Sequence, residues 1–217
     1  MQKNVLITGV LSEMGAATAR AFRSNGFYVY GLDREDDYAY NCDRFFQFDL
    51  HRFSTEADYR IRFADIFDQL IPRLDVLICC SAAPSVPPLR DLKLEQWQLL
   101  TNRFATGPML LAKFFQQHLT DSKGKILFLA NTYEQLSERR RVGHQLARGQ
   151  YEGLSNALAA DLRGAVEVNF LEPKMLERAG FPGNPRRERA YPDTVARLAL
   201  FLCSPAAGDL TGLGLRL

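Results

Sequence analysis

With 217 residues, 47% hydrophobic and 24% charged, the chain has the composition of a globular domain that needs neither a disulfide nor a metal to complete its core. A formal net charge of +2 is too weak a bias for a nucleic-acid or anionic-membrane partner. Met1-Gln2-Lys3-Asn4 leads straight into a strand-like run rather than a secretory leader, and no apolar stretch approaches the roughly 18 residues of a membrane span, so a cytoplasmic location is expected.

Val5-Leu6-Ile7 opens the chain as a short apolar strand closed by Thr8-Gly9. Ala16, Ala19, Ala21 and Phe22 then recur at helical spacing up to Asn25-Gly26. Phe27 to Leu32 is rich in Tyr and Val and ends at Asp33, which completes a βαβ unit. The alternation continues with a strand over Phe45 to Phe48, a helix over Glu56 to Leu70 and a strand over Asp75 to Cys80. A long helix is predicted over Leu94 to Leu119, a strand over Lys125 to Leu129, a helix over Gln145 to Leu162 and a strand over Val166 to Leu171. Pro192 to Cys203 is expected to form a helix with Pro in its first turn, and Gly212 to Leu217 a last strand. Short, uniformly apolar strands alternating with helices predict an α/β fold: a three-layer, doubly wound parallel sheet of about seven strands with helices on both faces, in one domain spanning residues 1–217. Cys42, Cys79, Cys80 and Cys203 match neither a disulfide framework nor zinc spacing; they read as buried thiols, and no metal is expected.

Thr8-Gly9-x-x-x-Glu13-Met14-Gly15 after the first strand, Asp33 ending the second, Asp49-Leu50 after the third, and Asp75-Val76-Leu77-Ile78 as the fourth fall in a telling order. Trp97 and Asn102, Val168-Asn169 before Pro173, and Thr211-Gly212 near the end continue it. In this order the chain resembles the short-chain dehydrogenase/reductase superfamily over nearly its whole length. The resemblance implies a Rossmann-type nucleotide site at the first βα turn, where helix N-terminal N–H groups meet a pyrophosphate and small residues let it approach. On that alignment Thr8, Gly9, Ser12, Met14, Gly15, Asp33, Asp49, Leu50 and Ser81 are the candidate cofactor residues. Asp33 would accept hydrogen bonds from the adenosine ribose and repel a 2′-phosphate, which favours NAD(H) over NADP(H). Asp49 would meet the adenine amine, or else cap a strand end. Glu13 replaces the middle glycine of the family pattern. A carboxylate about 4 Å from a phosphate charge costs about 1 kcal/mol in water-like surroundings and about 4 at an effective dielectric of 20. The alternative is that Glu13 points outward and complements the helix dipole. Cys79-Cys80-Ser81-Ala82 stands where relatives carry Asn-Asn-Ala-Gly.

The same resemblance implies a catalytic set of Ser, Tyr, Lys and a relay Asn. Asn102 aligns with the relay Asn, Asn131 with the Ser, His144 with the Tyr and Arg148 with the Lys. Tyr151 is two helical turns, roughly 10 Å, beyond His144 and cannot stand in for the missing phenol. Asn131 could donate to a carbonyl oxygen, and His144 could act as an acid. A cation at Arg148 is expected to lower the imidazole pKa and make it a poor acid near neutrality. Lys174 follows Pro173 where relatives have Gly, and only a short Arg- and Pro-rich segment up to Ala190 stands where they carry a substrate-covering lid. Arg139-Arg140-Arg141 and Arg186, Arg187 and Arg189 are solvated loops or contacts for an anionic ligand. The sequence therefore points to an NAD(H)-binding protein of this superfamily with a degenerate redox site. The alternative is an NAD(H)-dependent oxidoreductase that uses Asn131, His144 and Arg148 on a small carbonyl or alcohol. The long helices that pair subunits in relatives imply a homodimer or homotetramer.

Overall fold

The computed structural model describes residues 2–35, 41–80, 86–130, 141–173 and 185–216, with the side chains of Arg141, His144 and residues 185–191 outside that description. Seven parallel strands form one sheet in the order β3-β2-β1-β4-β5-β6-β7. They are β1 (Asn4–Thr8), β2 (Tyr28–Asp33), β3 (Arg44–Gln47), β4 (Val76–Cys79), β5 (Lys125–Leu129), β6 (Glu167–Glu172) and β7 (Gly214–Arg216). The helices are α1 (Glu13–Ser24), α2 (Leu50–Thr55), α3 (Ala57–Leu70), α4 (Leu94–Thr101), α5 (Gly107–Phe114), α6 (Gln116–Ser122), α7 (Arg141–Asp161) and α8 (Pro185–Leu202). The strand order reverses between β1 and β4, which opens a crevice at the carboxyl ends of the strands where ligands bind in sheets of this kind.

The period-2 alternation of side chains divides each central strand between two cores. Leu6, Leu77, Ile126, Phe128, Val168 and Phe170 face α7 and the phenylalanine-rich layer of Phe53, Phe63, Phe67 and Phe115. Val5, Ile7, Ile78, Leu127, Leu129 and Leu171 face the other way, onto Phe22 of α1 and Val195, Ala199 and Leu202 of α8. Both faces are covered, and for this reason the strands read as unbroken apolar runs.

Three predicted elements differ from those observed. The single helix over Leu94 to Leu119 is divided: Asn102–Thr106 form a π turn in which the Gly107 N–H bonds the Asn102 carbonyl, and Phe115 is a second joint before α6. Pro108 has no N–H to give back to the preceding turn, so the helix restarts there with a shifted register. α2 is an extra helix set off by Asp49, whose carboxylate caps it. Pro192 lies inside α8 rather than in its first turn, because the helix begins earlier, at Pro185.

All four cysteines are free and buried. Burial pushes the Cys79 thiol far up and the Cys80 and Cys203 thiols to about 12. A thiol raised in the folded state adds stability that is complete below its unfolded pKa and is lost as the pH climbs towards the folded value. Two outcomes are expected: a chromogenic disulfide reagent leaves these three thiols unmodified at pH 8 until denaturant is added, and resistance to urea falls as the pH is raised above about 9. Rapid native labelling of Cys79 or Cys80 would contradict the buried placement. No helix among the described residues is long and apolar enough to cross a membrane, and no cluster among them could hold a metal ion.

Candidate active site

The first βα turn is built around two close approaches. Gly9 follows β1 at φ 67°, and its N–H bonds the Leu32 carbonyl at 2.8 Å, tying the turn to β2. Ser12 is the N-cap of α1: its hydroxyl donates to the Gly9 carbonyl at 2.7 Å and accepts from the Gly15 N–H at 3.1 Å. A Cβ on Gly15 would lie 2.1 Å from the Gly9 carbonyl oxygen, so only glycine lets the helix rest on the turn. Glu13 is exposed in the first turn, where its charge complements the positive end of the helix dipole. Met14 is buried in the α1–α8 core, which leaves only its backbone N–H available to a ligand. Thr8 is buried too, and its hydroxyl accepts from the Cys80 N–H at 3.2 Å, pinning β4 to β1 at the crevice.

Asp33 stands at the end of β2 and binds the turn. One carboxylate oxygen accepts from the Leu11 N–H at 2.9 Å and the other from the Arg34 N–H at 2.7 Å. Each oxygen keeps a further lone pair, enough for hydroxyl donors. Asp49 is the N-cap of α2, with one oxygen accepting from the His51 N–H at 2.8 Å and the Arg52 N–H at 3.3 Å. The sequence offered a cap as the alternative role for Asp49, and the structure shows this cap on a helix. Leu50 is buried beneath Gly107, where a Cβ would come within 2.6 Å of it. Ser81 lies outside the described residues.

Asn102, at the start of the π turn, lies beside α2. Its amide nitrogen lies 3.4 Å from the His51 ring of α2, and its carbonyl accepts from Ser54 at 2.9 Å. The face of this segment that meets α7 carries Thr101, which receives a bond from Gln150 at 3.1 Å, and Phe104, whose ring centroid is 5.0 Å from that of Tyr151. The side chain of this segment that packs on Tyr151 of α7 is thus Phe104. Tyr151 is 1% exposed and also packs 5.4 Å from Phe128. It is a core residue. Asn131 lies outside the described residues, and of His144 only its place on α7 is described.

Arg148 is held by carboxylates that the sequence reading did not single out. Its guanidinium is ion-paired with Glu172 at 2.5 Å and with Glu152 at 3.4 Å. Arg216 of β7 reaches the same two carboxylates, Glu152 at 2.6 Å and Glu172 at 3.2 Å. These four side chains tie α7 to the ends of β6 and β7, and Glu172 raises the Arg148 pKa further. Two carboxylates thus offset the charge of Arg148, which is not a bare cation on α7. The available signals were a carboxylate ending β6 just before Pro173, and the Arg148–Glu152 spacing of one helical turn.

Residues 9–216 match the family model described as enoyl-(acyl carrier protein) reductase. The chain belongs to the short-chain dehydrogenase/reductase family. Among curated relatives of this reductase-family chain, it is 25% identical over 235 residues to D-threitol dehydrogenase of Mycolicibacterium smegmatis, covering 97% of the chain and 89% of the relative. It is also 25% identical over 228 residues to NAD-dependent glycerol dehydrogenase of Listeria innocua, covering 97% and 90%. Among solved structures it superposes at a TM-score of 0.80, with 15% identity and full coverage of both chains, on a short-chain dehydrogenase/reductase from Brucella ovis in complex with a partially ordered NAD. Acetoin dehydrogenase from Salmonella typhimurium follows at 0.79 with 21% identity, covering 100% of this chain and 94% of that one. These superpositions confirm the seven-stranded Rossmann-like sheet.

Proposed function

We propose that this short-chain dehydrogenase/reductase binds NAD(H) across the carboxyl ends of β1, β2 and β4, and that its ordinary carbonyl–alcohol redox step is impaired. Several features support binding: the glycine turn at Gly9 and Gly15, the N–H groups opening α1 beside Ser12 and Met14, and the Asp33 carboxylate with acceptor capacity to spare. On this reading the buried Thr8 and Leu50 would underlie the crevice, while Asp49 and Ser81 would border the adenosine. The relative from Listeria innocua is named for NAD dependence, and the Brucella ovis neighbour carries NAD. A bound nicotinamide would supply or accept the hydride; the chain must supply the proton and orient the substrate.

The observation that carries the impaired reading is the α7 charge network. No lysine occurs on α7, Arg148 is spent on Glu172 and Glu152, and the one tyrosine of that helix is packed into the core. NADH fluorescence titration tests the binding half: NADH is expected to bind more tightly than NADPH, because Asp33 repels a 2′-phosphate. Absence of NADH binding would remove the reading.

A second reading keeps catalysis, with Asn131 orienting the substrate and His144 as the acid. One observation favours it: the carboxylates around Arg148 relieve the imidazole of a neighbouring net positive charge. Under that reading His144→Ala abolishes a native turnover that the wild type displays on a small polyol or hydroxyketone.

A further inference from the structure

The carboxyl end of β2 is clamped by its neighbour in the sheet. The Asp33 carbonyl accepts from the Phe48 N–H at 2.6 Å, and the Gln47 side chain of β3 donates to the Arg34 carbonyl at 3.1 Å. The Arg34 N–H in turn bonds the Asp33 carboxylate at 2.7 Å. A cation therefore follows directly on the carboxylate that the nucleotide reading assigns to the adenosine ribose, and its backbone is held at both the N–H and the carbonyl.

The side chain of that cation is engaged. One Glu35 carboxylate oxygen accepts from the Arg34 Nε at 3.0 Å and from a terminal guanidinium nitrogen at 2.6 Å. The hydrogen bond to Glu35, and then the Glu35 charge, raise the Arg34 pKa, so the guanidinium stays charged and is offset by the carboxylate rather than by proton loss. Both side chains are exposed, so the pair opens at little cost when a stronger partner is offered. In dinucleotide sites a carboxylate at the end of the second strand takes the ribose hydroxyls, whereas an arginine nearby accommodates a 2′-phosphate. Here the two kinds of residue are neighbours in sequence, and the balance between them depends on whether the guanidinium is available.

We infer that Glu35 is a cofactor-specificity residue: by pairing with Arg34 it withholds a cation that would otherwise meet the 2′-phosphate of NADP(H). The inference rests on the nucleotide reading above and adds to Asp33 a second determinant, one that acts through Arg34. A free guanidinium next to Asp33 would offset the charge with which Asp33 repels the phosphate, and the Glu35 carboxylate removes that offset.

Fluorescence titration of the full-length protein with NADH and with NADPH, at low and at high salt, tests the assignment. Glu35→Gln is expected to raise the affinity for NADPH relative to that for NADH by about threefold to fivefold at low ionic strength, the upper range for an exposed ion pair. The gain is expected to shrink at about 0.5 M salt, where exposed charges are screened. An increase in affinity cannot arise from a damaged fold. Adding Arg34→Gln to Glu35→Gln is expected to return the ratio to its wild-type value, because the cation that met the phosphate is gone. A Glu35→Gln ratio equal to that of the wild type, or a gain that survives the loss of Arg34, would overturn the assignment and leave the nucleotide reading standing. A wild-type protein that binds neither coenzyme removes both.

Discussion

Mixed with NADH and acetoin near neutral pH, the protein will oxidise the coenzyme at least about a hundredfold more slowly than the Salmonella typhimurium acetoin dehydrogenase assayed beside it, the penalty for losing one positioned general acid. Hydride transfer to a ketone builds negative charge on its oxygen, and a proton must arrive as it forms. In relatives the resemblance assigns that proton to a tyrosine held acidic by a free lysine ammonium. On the proposed alignment the corresponding side chains are imidazole and guanidinium, and the guanidinium is ion-paired at 2.5 Å with Glu172. Restoring the phenol alone is therefore not expected to restore turnover. His144→Tyr with Arg148→Lys would place an ammonium beside Glu172 and Glu152, where its charge is offset and the tyrosine pKa stays near 10. Adding Glu172→Gln frees part of that charge, and the triple variant should exceed the double variant by about tenfold or more, about one pKa unit of activation. If the double variant already matches the triple variant, Glu172 does not govern this face.

Gly15→Ala is expected to cost roughly 3 kcal/mol of folding stability, at the upper end for overpacking, and to abolish nucleotide binding. The added Cβ would lie 2.1 Å from the Gly9 carbonyl oxygen and 2.9 Å from the Val10 Cα, and both of these are backbone atoms that no rotamer change can move. The helix must lift off the turn. Doing so breaks the Ser12 bridge between Gly9 and Gly15 and the bond from Leu11 to Asp33. Urea denaturation measures the first effect and NADH fluorescence the second. A variant as stable as the wild type would show that the turn can shift cheaply.

The sheet was legible because its strands are buried on both faces. Val5-Leu6-Ile7, Val76-Leu77-Ile78 and Ile126-Leu127-Phe128 admit little else, and each strand of the structure overlaps the run that signalled it. The break in the fourth long helix was not legible. Gly107-Pro108 lies within an apolar pattern that continues across it, and the π turn shows only in the backbone bond from Gly107 to Asn102. At that break Phe104 is the residue that packs on Tyr151 of α7, a contact that the residue spacing did not announce. Within the first βα turn, Gly9 and Gly15 were legible because a positive φ and a close backbone approach there favour glycine. The partners of Arg148 were not, because Glu172 and Arg216 reach it from strands distant in sequence.

The central claim is that the nucleotide is held while the proton path is missing. A single-turnover experiment with protein in excess over NADH, monitored by nicotinamide fluorescence after acetoin is added, addresses both halves together. The account predicts the enhanced emission of bound NADH, persisting unchanged in the presence of the ketone. A bound signal that decays at the pace of a working acetoin dehydrogenase would contradict it.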